Sequence, residues 1–473
     1  MDEGGAESRL AGGTAGHRAL RPYVEVVLDA LADGAARRAG PLPRGGPDVA
    51  RRLVDAAPAI PEHGEDGSAV LRGLVRAVAE GAADPADPHC VAHLHSPPLA
   101  IAVAADLAAS ALNCSLDSWD QAPAASELEV ATCRSLHREV FPGSPGGDVL
   151  VTSGSTESNM LGLLLARESR GPETAVICGE NAHHSVHRAA WLLGMRAPRV
   201  LPTPRGVLDP DAARAELGRD GGRALLVATA GTTDTGAIDP LEELAVAARD
   251  HGARLHVDAA YGGLLLFSTR LRHLVRGLDR ADTVALDFHK LGWQPAAAGA
   301  FAVREDADLV HLKSQVDYLN AVDDTDAGIP SLLERSTRTT RRADILKIAV
   351  TLRALGRGGI GELIEKVRDR AMDLAALVSD RPELELHAPP GISTVLFRPV
   401  GAADAHVAEL RRCLLSEGKA VLGRADAAGR LWLKVTLLNP HAVTGDLETL
   451  LKLVVDTSRR LASPREDTPT AGA

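Results

Sequence analysis

Lys290 stands in the run Asp282-Thr-Val-Ala-Leu-Asp-Phe-His-Lys-Leu-Gly-Trp-Gln-Pro, one strand–helix unit after His256-Val-Asp-Ala-Ala-Tyr-Gly-Gly. Leu286, Phe288, Leu291 and Trp293 give it an apolar surround. Such a setting lowers the pKa of an amine and suits it to hold an aldehyde as a Schiff base. Asp258 follows the short apolar stretch Leu255-His-Val and precedes Ala259-Ala260-Tyr261. A carboxylate there can keep a ring nitrogen protonated and so make the ring an electron sink. The bland alternatives are a solvated lysine and an aspartate that caps a turn.

Other residue types fit the same chemistry. Ser153-Gly154-Ser155-Thr156 joins a strand to a helix, where backbone N–H groups and small residues receive a phosphate. The stretch Ser155–Ser158 reads equally as ordinary helix capping. No Gly-Lys-Ser/Thr follows, so it is not a nucleotide-binding P-loop. His183 lies in Gly179-Glu-Asn-Ala-His-His-Ser-Val-His. No carboxylate or cysteine completes a ligand spacing there, so no metal is expected, and an imidazole against a flat ring is the better use. His289, next to Lys290, is a candidate to touch a phosphate or move a proton. Aldehyde, ring nitrogen and phosphate together describe pyridoxal phosphate (PLP).

The elements around these residues follow from the hydrophobic pattern. Short apolar runs at Val149-Leu-Val-Thr, Val176-Ile-Cys, Arg223 to Ala230, Arg254 to Asp258, Thr283 to Asp287 and Gly299 to Arg304 alternate with helical stretches such as Ser158–Glu168 and Leu241–His251. That alternation predicts an α/β domain with a mostly parallel sheet covered on both faces. Thr152, Thr229, Asp258 and Asp287 fall at or just past strand ends, where such sheets bind ligands. A long helix begins near Arg341, and strands Ser393 to Arg398 and Leu431 to Leu437 with a helix over Asp446–Leu461 predict a smaller α/β domain. The expected organisation is an N-terminal tail and helical arm over 1–83, a large domain over 84–345, a small domain over 346–462 and a disordered tail over 463–473.

Composition narrows the partners. Aromatic residues make up 3% of the 473-residue chain and the formal charge is −11, which disfavours a nucleic-acid partner. No apolar run reaches the length of a membrane span. The five cysteines form no CxxC pair, and no basic-then-apolar leader opens the chain, so a reducing cytoplasmic setting is expected.

Six motifs in order then carry a resemblance. They are His93-Leu-His-Ser-Pro-Pro, Leu116-Asp-Ser-Trp-Asp-Gln-Ala-Pro-Ala, Thr152-Ser-Gly-Ser-Thr-Glu-Ser-Asn, Ala182-His-His-Ser-Val, His256-Val-Asp-Ala-Ala-Tyr-Gly-Gly and Asp287-Phe-His-Lys. From about Asp84 to Leu461 the chain resembles the group II PLP-dependent amino acid decarboxylases, which have the aspartate-aminotransferase fold (fold type I). The motifs are most similar to those of the L-2,4-diaminobutyrate decarboxylases. The resemblance implies a carboxy-lyase that converts an L-amino acid to its amine and CO2. It also implies roles: Lys290 forms the Schiff base, Asp258 pairs with the ring nitrogen, His183 stacks on the ring, Ser155 and Thr156 hold the phosphate with help from His289, and Thr229 and Ala260 line the ring. His95 and Ser96 match a segment on the substrate carboxylate side. Asp117 and Asp120 are candidates for a distal substrate ammonium, or else a cap or an interface ion pair. A homodimer is implied, with the N-terminal arm serving dimerisation.

One departure bears on the outcome of the reaction. Aromatic amino acid decarboxylases carry a loop tyrosine that the stretch Asn320 to Thr340 lacks; Leu332 falls near its place and Tyr318 lies just before the stretch. In that family, loss of this tyrosine diverts the reaction towards oxidative deamination. The competing expectations are therefore an oxidative deaminase, an aminotransferase of the same fold, and a non-catalytic homologue.

Overall fold

The computed structural model describes residues 10–54, 60–204, 206–312 and 321–463. The predicted terminal tails fall partly, and Tyr318 wholly, outside the described residues. The chain forms two compact units, one of Leu94–Arg368 and one that joins Met1–His93 with Asp369–Ala473.

The unit Leu94–Arg368 is built on seven strands: β1 (Asp148–Thr152), β2 (Ala175–Gly179), β3 (Arg199–Leu201), β4 (Ala224–Thr229), β5 (Arg254–Ala259), β6 (Thr283–Asp287) and β7 (Gly299–Val303). Their order is β1-β7-β6-β5-β4-β2-β3. The pairs from β6 through β3 are parallel, and β7 runs antiparallel to both its neighbours. Every residue of β2, β4, β5 and β6 is buried, as expected of strands covered on both faces. The predicted α/β, mostly parallel fold is thus the observed one.

The helix Ser155–Arg170 runs across this sheet. Leu161 and Leu165 pack with Leu150 and Phe301 beside β1 and β7, and Leu163 and Ala166 pack with Val176 and Val227 beside β2 and β4. Apolar residues on more than one side of the helix explain why a simple amphipathic stripe does not describe it. Fixing this helix fixes the direction of its N-terminus, which is where the site lies.

The other unit contains the helices Gly16–Arg38, Pro47–Val54 and Gly67–Gly81, which fall between the Pro- and Gly-rich breaks of the sequence. It also contains an antiparallel sheet of β8 (Leu384–Leu386), β9 (Thr394–Pro399), β10 (Gly423–Ala427) and β11 (Arg430–Thr436), in the order β10-β11-β9-β8. Val395, Phe397, Leu433 and Val435 face a core closed by Leu410, Leu414, Leu447, Leu451 and Val454 of two helices. The chain passes between the units within Ile345–Ser379, a helical span broken at Gly356, whose φ of 63° is left-handed. Among the described residues no helix is long and apolar enough to cross a membrane.

Candidate active site

The carboxyl ends of β4, β5 and β6 open into a cavity of about 330 Å³. Ser155, Thr156, His183, Thr229, Asp258, Ala260, His289 and Lys290 all line it, so the eight residues expected to hold the cofactor share one space. Thr229 and Asp258 are register partners on β4 and β5, which places them side by side.

Three adjacent strand ends explain how the turn after β1 reaches the lysine. Thr152 of β1 and Asp287 of β6 are both register partners of Gly299 on β7. A Cβ at residue 299 would come within 2.5 Å of the Gly154 Cα. Its absence lets the turn after β1 fold across β7 towards β6. The N–H and the hydroxyl of Ser155 then donate to Oδ1 of Asp287 at 2.7 and 2.9 Å. Asp287 thus supplies the acceptor at the start of the helix Ser155–Arg170, and the Ser155 side chain is directed out of the helix rather than back onto it.

The other carboxylate oxygen of Asp287 lies 2.8 Å from Lys290 Nζ and 3.6 Å from His289 Nε2. His289 Nδ1 pairs with the carbonyl of Ala298 at 2.9 Å. A carbonyl only accepts, so Nδ1 carries the proton and Nε2 is the nitrogen available to take one. The sequence places Asp287 at a strand end without assigning it a role. Its signal is the three-residue spacing to Lys290, which brings the two together in the turn after β6.

Asp258 is buried and accepts from the Asn159 amide at 2.7 Å and from the Ala260 N–H at 3.1 Å. His183 Nδ1 lies 2.8 Å from Ser185 Oγ, and burial holds its pKa below the usual histidine value. Behind the wall, the buried carboxylate of Asp239 accepts from Asn181 at 3.0 Å and from the Thr229 N–H at 2.7 Å. It braces two lining residues, and burial raises its own pKa.

The substrate-side candidates stand apart from this set. Ser96 is buried and donates to the carbonyl of His289 at 3.0 Å, whereas His95 is exposed. Asp117 accepts from Gln121 at 2.8 Å, and Asp120 accepts from Ser118. Neither aspartate lines the cavity of its own chain, nor do His95 and Ser96.

The donor set fits PLP on its chemistry. Lys290 offers an amine for the aldehyde, Asp258 an acceptor for the ring nitrogen, and Ser155 with Thr156 donors at a helix N-terminus for the phosphate. Two of those donors, the N–H and the hydroxyl of Ser155, are directed to Asp287 Oδ1.

Comparisons with known proteins agree. Residues 47–400 match the pyridoxal-dependent decarboxylase conserved domain. The L-2,4-diaminobutyrate decarboxylase of Rhizobium meliloti (strain 1021) is 40% identical over 461 residues, covering 94% of this chain and 92% of that protein. The enzyme of the same name from Acinetobacter baumannii is 34% identical over 411 residues, covering 79% and 80%. The crystal structure of the glutamate decarboxylase domain of diaminobutyrate-pyruvate transaminase and L-2,4-diaminobutyrate decarboxylase from Vibrio parahaemolyticus superposes with a TM-score of 0.85 at 28% identity, covering 96% of this chain and 98% of that one. The Oryza sativa TDC solved with PLP and tryptamine shares the fold, with a TM-score of 0.86 at 24% identity over 96% of this chain and all of that one (100%). A match that spans most of the chain, on a fold whose strand ends gather an amine, a buried carboxylate and hydroxyl donors at a helix N-terminus, has one meaning: the chain belongs to the pyridoxal-dependent decarboxylase family.

Proposed function

We propose that this protein removes the carboxyl group of L-2,4-diaminobutyrate, giving CO2 and the corresponding diamine. PLP-dependent decarboxylation of an amino acid follows from the family; the diamino acid is supported by the two relatives of that name. The single observation that carries the reading is the convergence of Lys290, Asp258, His183 and Ser155 on one cavity. When bound, PLP supplies the electron sink for the pair left behind as the Cα–carboxylate bond breaks.

The residues of the chain perform the remaining tasks in this reading. Lys290 Nζ would hold the cofactor aldehyde. Asp258 keeps the ring nitrogen protonated, and its two hydrogen bonds hold it in one orientation. Ser155 and Thr156 take the phosphate, for which Asp287 gives up the Ser155 donors. Thr229 and Ala260 shape the ring slot and His183 covers it. His289, with its proton on Nδ1, keeps Nε2 to accept and return a proton. Ser96, bonded to the His289 carbonyl, and His95 beside it belong to the carboxylate side.

Asp117 and Asp120 are the candidates for the distal ammonium. Because neither lines the cavity of its own chain, this part of the reading requires their segment to reach the cavity of a second copy in a homodimer. The helical segment before residue 84 is proposed to support that dimer, and a cytoplasmic setting suits the free thiols of all five cysteines.

A second reading, decarboxylation coupled to oxidative deamination, is favoured by the buried Leu332 near the place of the family's loop tyrosine. One experiment separates the two. Purified protein loaded with PLP is given a panel of amino acids, and CO2, amine, aldehyde, peroxide and keto acid are measured. Equal amounts of CO2 and diamine from L-2,4-diaminobutyrate are expected. Aldehyde with peroxide supports the second reading, and keto acid without CO2 overturns both.

A further inference from the structure

Asn159 has no exposed surface, and both ends of its amide are engaged. Nδ2 donates to Asp258 Oδ2 at 2.7 Å and to Ser185 Oγ at 2.8 Å, and Oδ1 lies 2.9 Å from His256 Nε2. A carboxylate only accepts, so the amide end facing Asp258 is the nitrogen. The remaining proton positions follow from that one. Ser185 Oγ accepts from Asn159, so its O–H is left for its other neighbour, His183 Nδ1, at 2.8 Å, and the Ser185 backbone N–H donates to the same nitrogen at 3.4 Å. A ring nitrogen that accepts carries no proton, so the neutral His183 ring has its proton on Nε2. On the other side, Asn159 Oδ1 accepts, so His256 carries its proton on Nε2 and accepts at Nδ1 from Thr283 Oγ1 at 2.9 Å. His256 and Thr283 are register partners on β5 and β6, which brings the two side chains together.

The surroundings keep these rings neutral. Burial pushes the His256 pKa down to about 4 and lowers that of His183. The pocket for His256 exists because residue 162 is glycine: a Cβ there would lie 2.6 Å from His256 Nδ1.

We infer that Asn159 is a positioning residue: a one-directional run of hydrogen bonds from Thr283 through His256, Asn159 and Ser185 sets His183 in its Nε2–H form, while the same amide holds the Asp258 carboxylate in place. Its catalytic consequence rests on the reading of the cavity as a PLP site; the proton positions do not. His183 then presents an N–H at Nε2, whereas His289, protonated at Nδ1, presents a lone pair at the corresponding nitrogen. One cavity holds two histidines of opposite tautomer, and neither nitrogen can take the other's part without reversing its partner's bond.

The test uses the full chain without cofactor, labelled with 15N-histidine, and long-range 1H–15N correlation spectra. The His183 signals are identified by their loss in His183→Asn. In the wild type, Nε2 is expected to be protonated, and Nδ1 to show the shift of a hydrogen-bonded acceptor. In Asn159→Asp the new carboxylate accepts the Ser185 O–H, Ser185 becomes an acceptor for His183, and the ring is expected to reverse to Nδ1–H. Ser185→Ala is expected to weaken the hydrogen-bond shift at His183 Nδ1, which keeps only the longer bond from the Ser185 N–H at 3.4 Å, while the Nε2 proton remains. A wild-type His183 protonated at Nδ1, an unchanged tautomer in folded Asn159→Asp, or an Nδ1 shift in Ser185→Ala identical to that of the wild type each overturns the inference. The wild-type spectrum decides the matter should Asn159→Asp fail to fold. Titration with PLP afterwards separates the two claims: the expected tautomer without cofactor binding removes the site reading and leaves the inference standing.

Discussion

Lys290 Nζ and Asp287 Oδ2 are 2.8 Å apart, and the other oxygen of the same carboxylate takes both donors of Ser155. The residue expected to hold the cofactor aldehyde and a residue expected to hold its phosphate therefore share one anion within the chain. On the proposed reading, a cofactor phosphate and this carboxylate compete for the Ser155 donors.

Asp287→Asn preserves the shape of the side chain and removes its charge. The asparagine competes less well for the Ser155 donors and does not repel a phosphate. PLP is expected to bind roughly tenfold more tightly, about 1.4 kcal/mol, with faster capture. Fluorescence titration and stopped-flow absorbance check this; weaker or slower binding contradicts the shared-anion account.

Lys290→Ala removes the only amine lining the cavity among the described residues. The PLP-loaded wild type is expected to show a yellow absorbance that borohydride bleaches, and the variant is expected to lack it. Turnover is expected to fall by at least about a thousandfold. A borohydride-stable attachment in the variant, seen by mass spectrometry of the intact chain, places the reactive amine elsewhere.

His256 gives the stability a pH dependence of definite sign. Its folded pKa, about 4, lies below the usual histidine value of 6.5. Between these values the unfolded chain binds the proton and the folded chain does not. The stability present above pH 6.5 is therefore lost as pH falls towards 4, by an amount on the order of 3 kcal/mol from this residue. Burial lowers the His183 pKa as well, which adds a contribution of the same sign. Urea unfolding of the cofactor-free protein at pH 7.5 and 5 is expected to show the loss, and His256→Gln is expected to reduce it. An equal loss in the variant assigns the effect to other groups.

Asp117→Asn and Asp120→Asn test recognition of the distal ammonium. A charge-assisted bond contributes about 1.5–3 kcal/mol, so loss of the correct carboxylate is expected to lower kcat/KM for the diamino acid by about ten- to a hundredfold. A substrate without a distal amine is expected to be affected far less. If both variants turn over the diamino acid like the wild type, neither residue recognises it.

Much of the site was legible because strand ends carry local marks. Apolar runs that stop at Thr229, Asp258 and Asp287 announce the edge of a parallel sheet, and Ser153-Gly154-Ser155-Thr156 announces a strand-to-helix turn. Burial on both faces of β2, β4, β5 and β6 was written in the same runs. The short strands β3 and β8, three residues each, carry too little pattern to be seen.

The residue types that are candidates for the chemistry, and their places at strand ends, were determined by the sequence itself. Which of them meet was decided only by the tertiary structure. Ser155 and Asp287 are 132 positions apart, and Asn159 and Asp258 are 99 apart. Hydrophobic periodicity reports which face of an element is buried, but not which strand lies beside which. Only the order β1-β7-β6-β5, with a glycine at 299 thin enough for the Ser155 turn to cross, brings the Ser155 donors onto Asp287. Only the pairing of β5 with β6 puts Thr283 against His256 and starts the hydrogen bonds that end at His183.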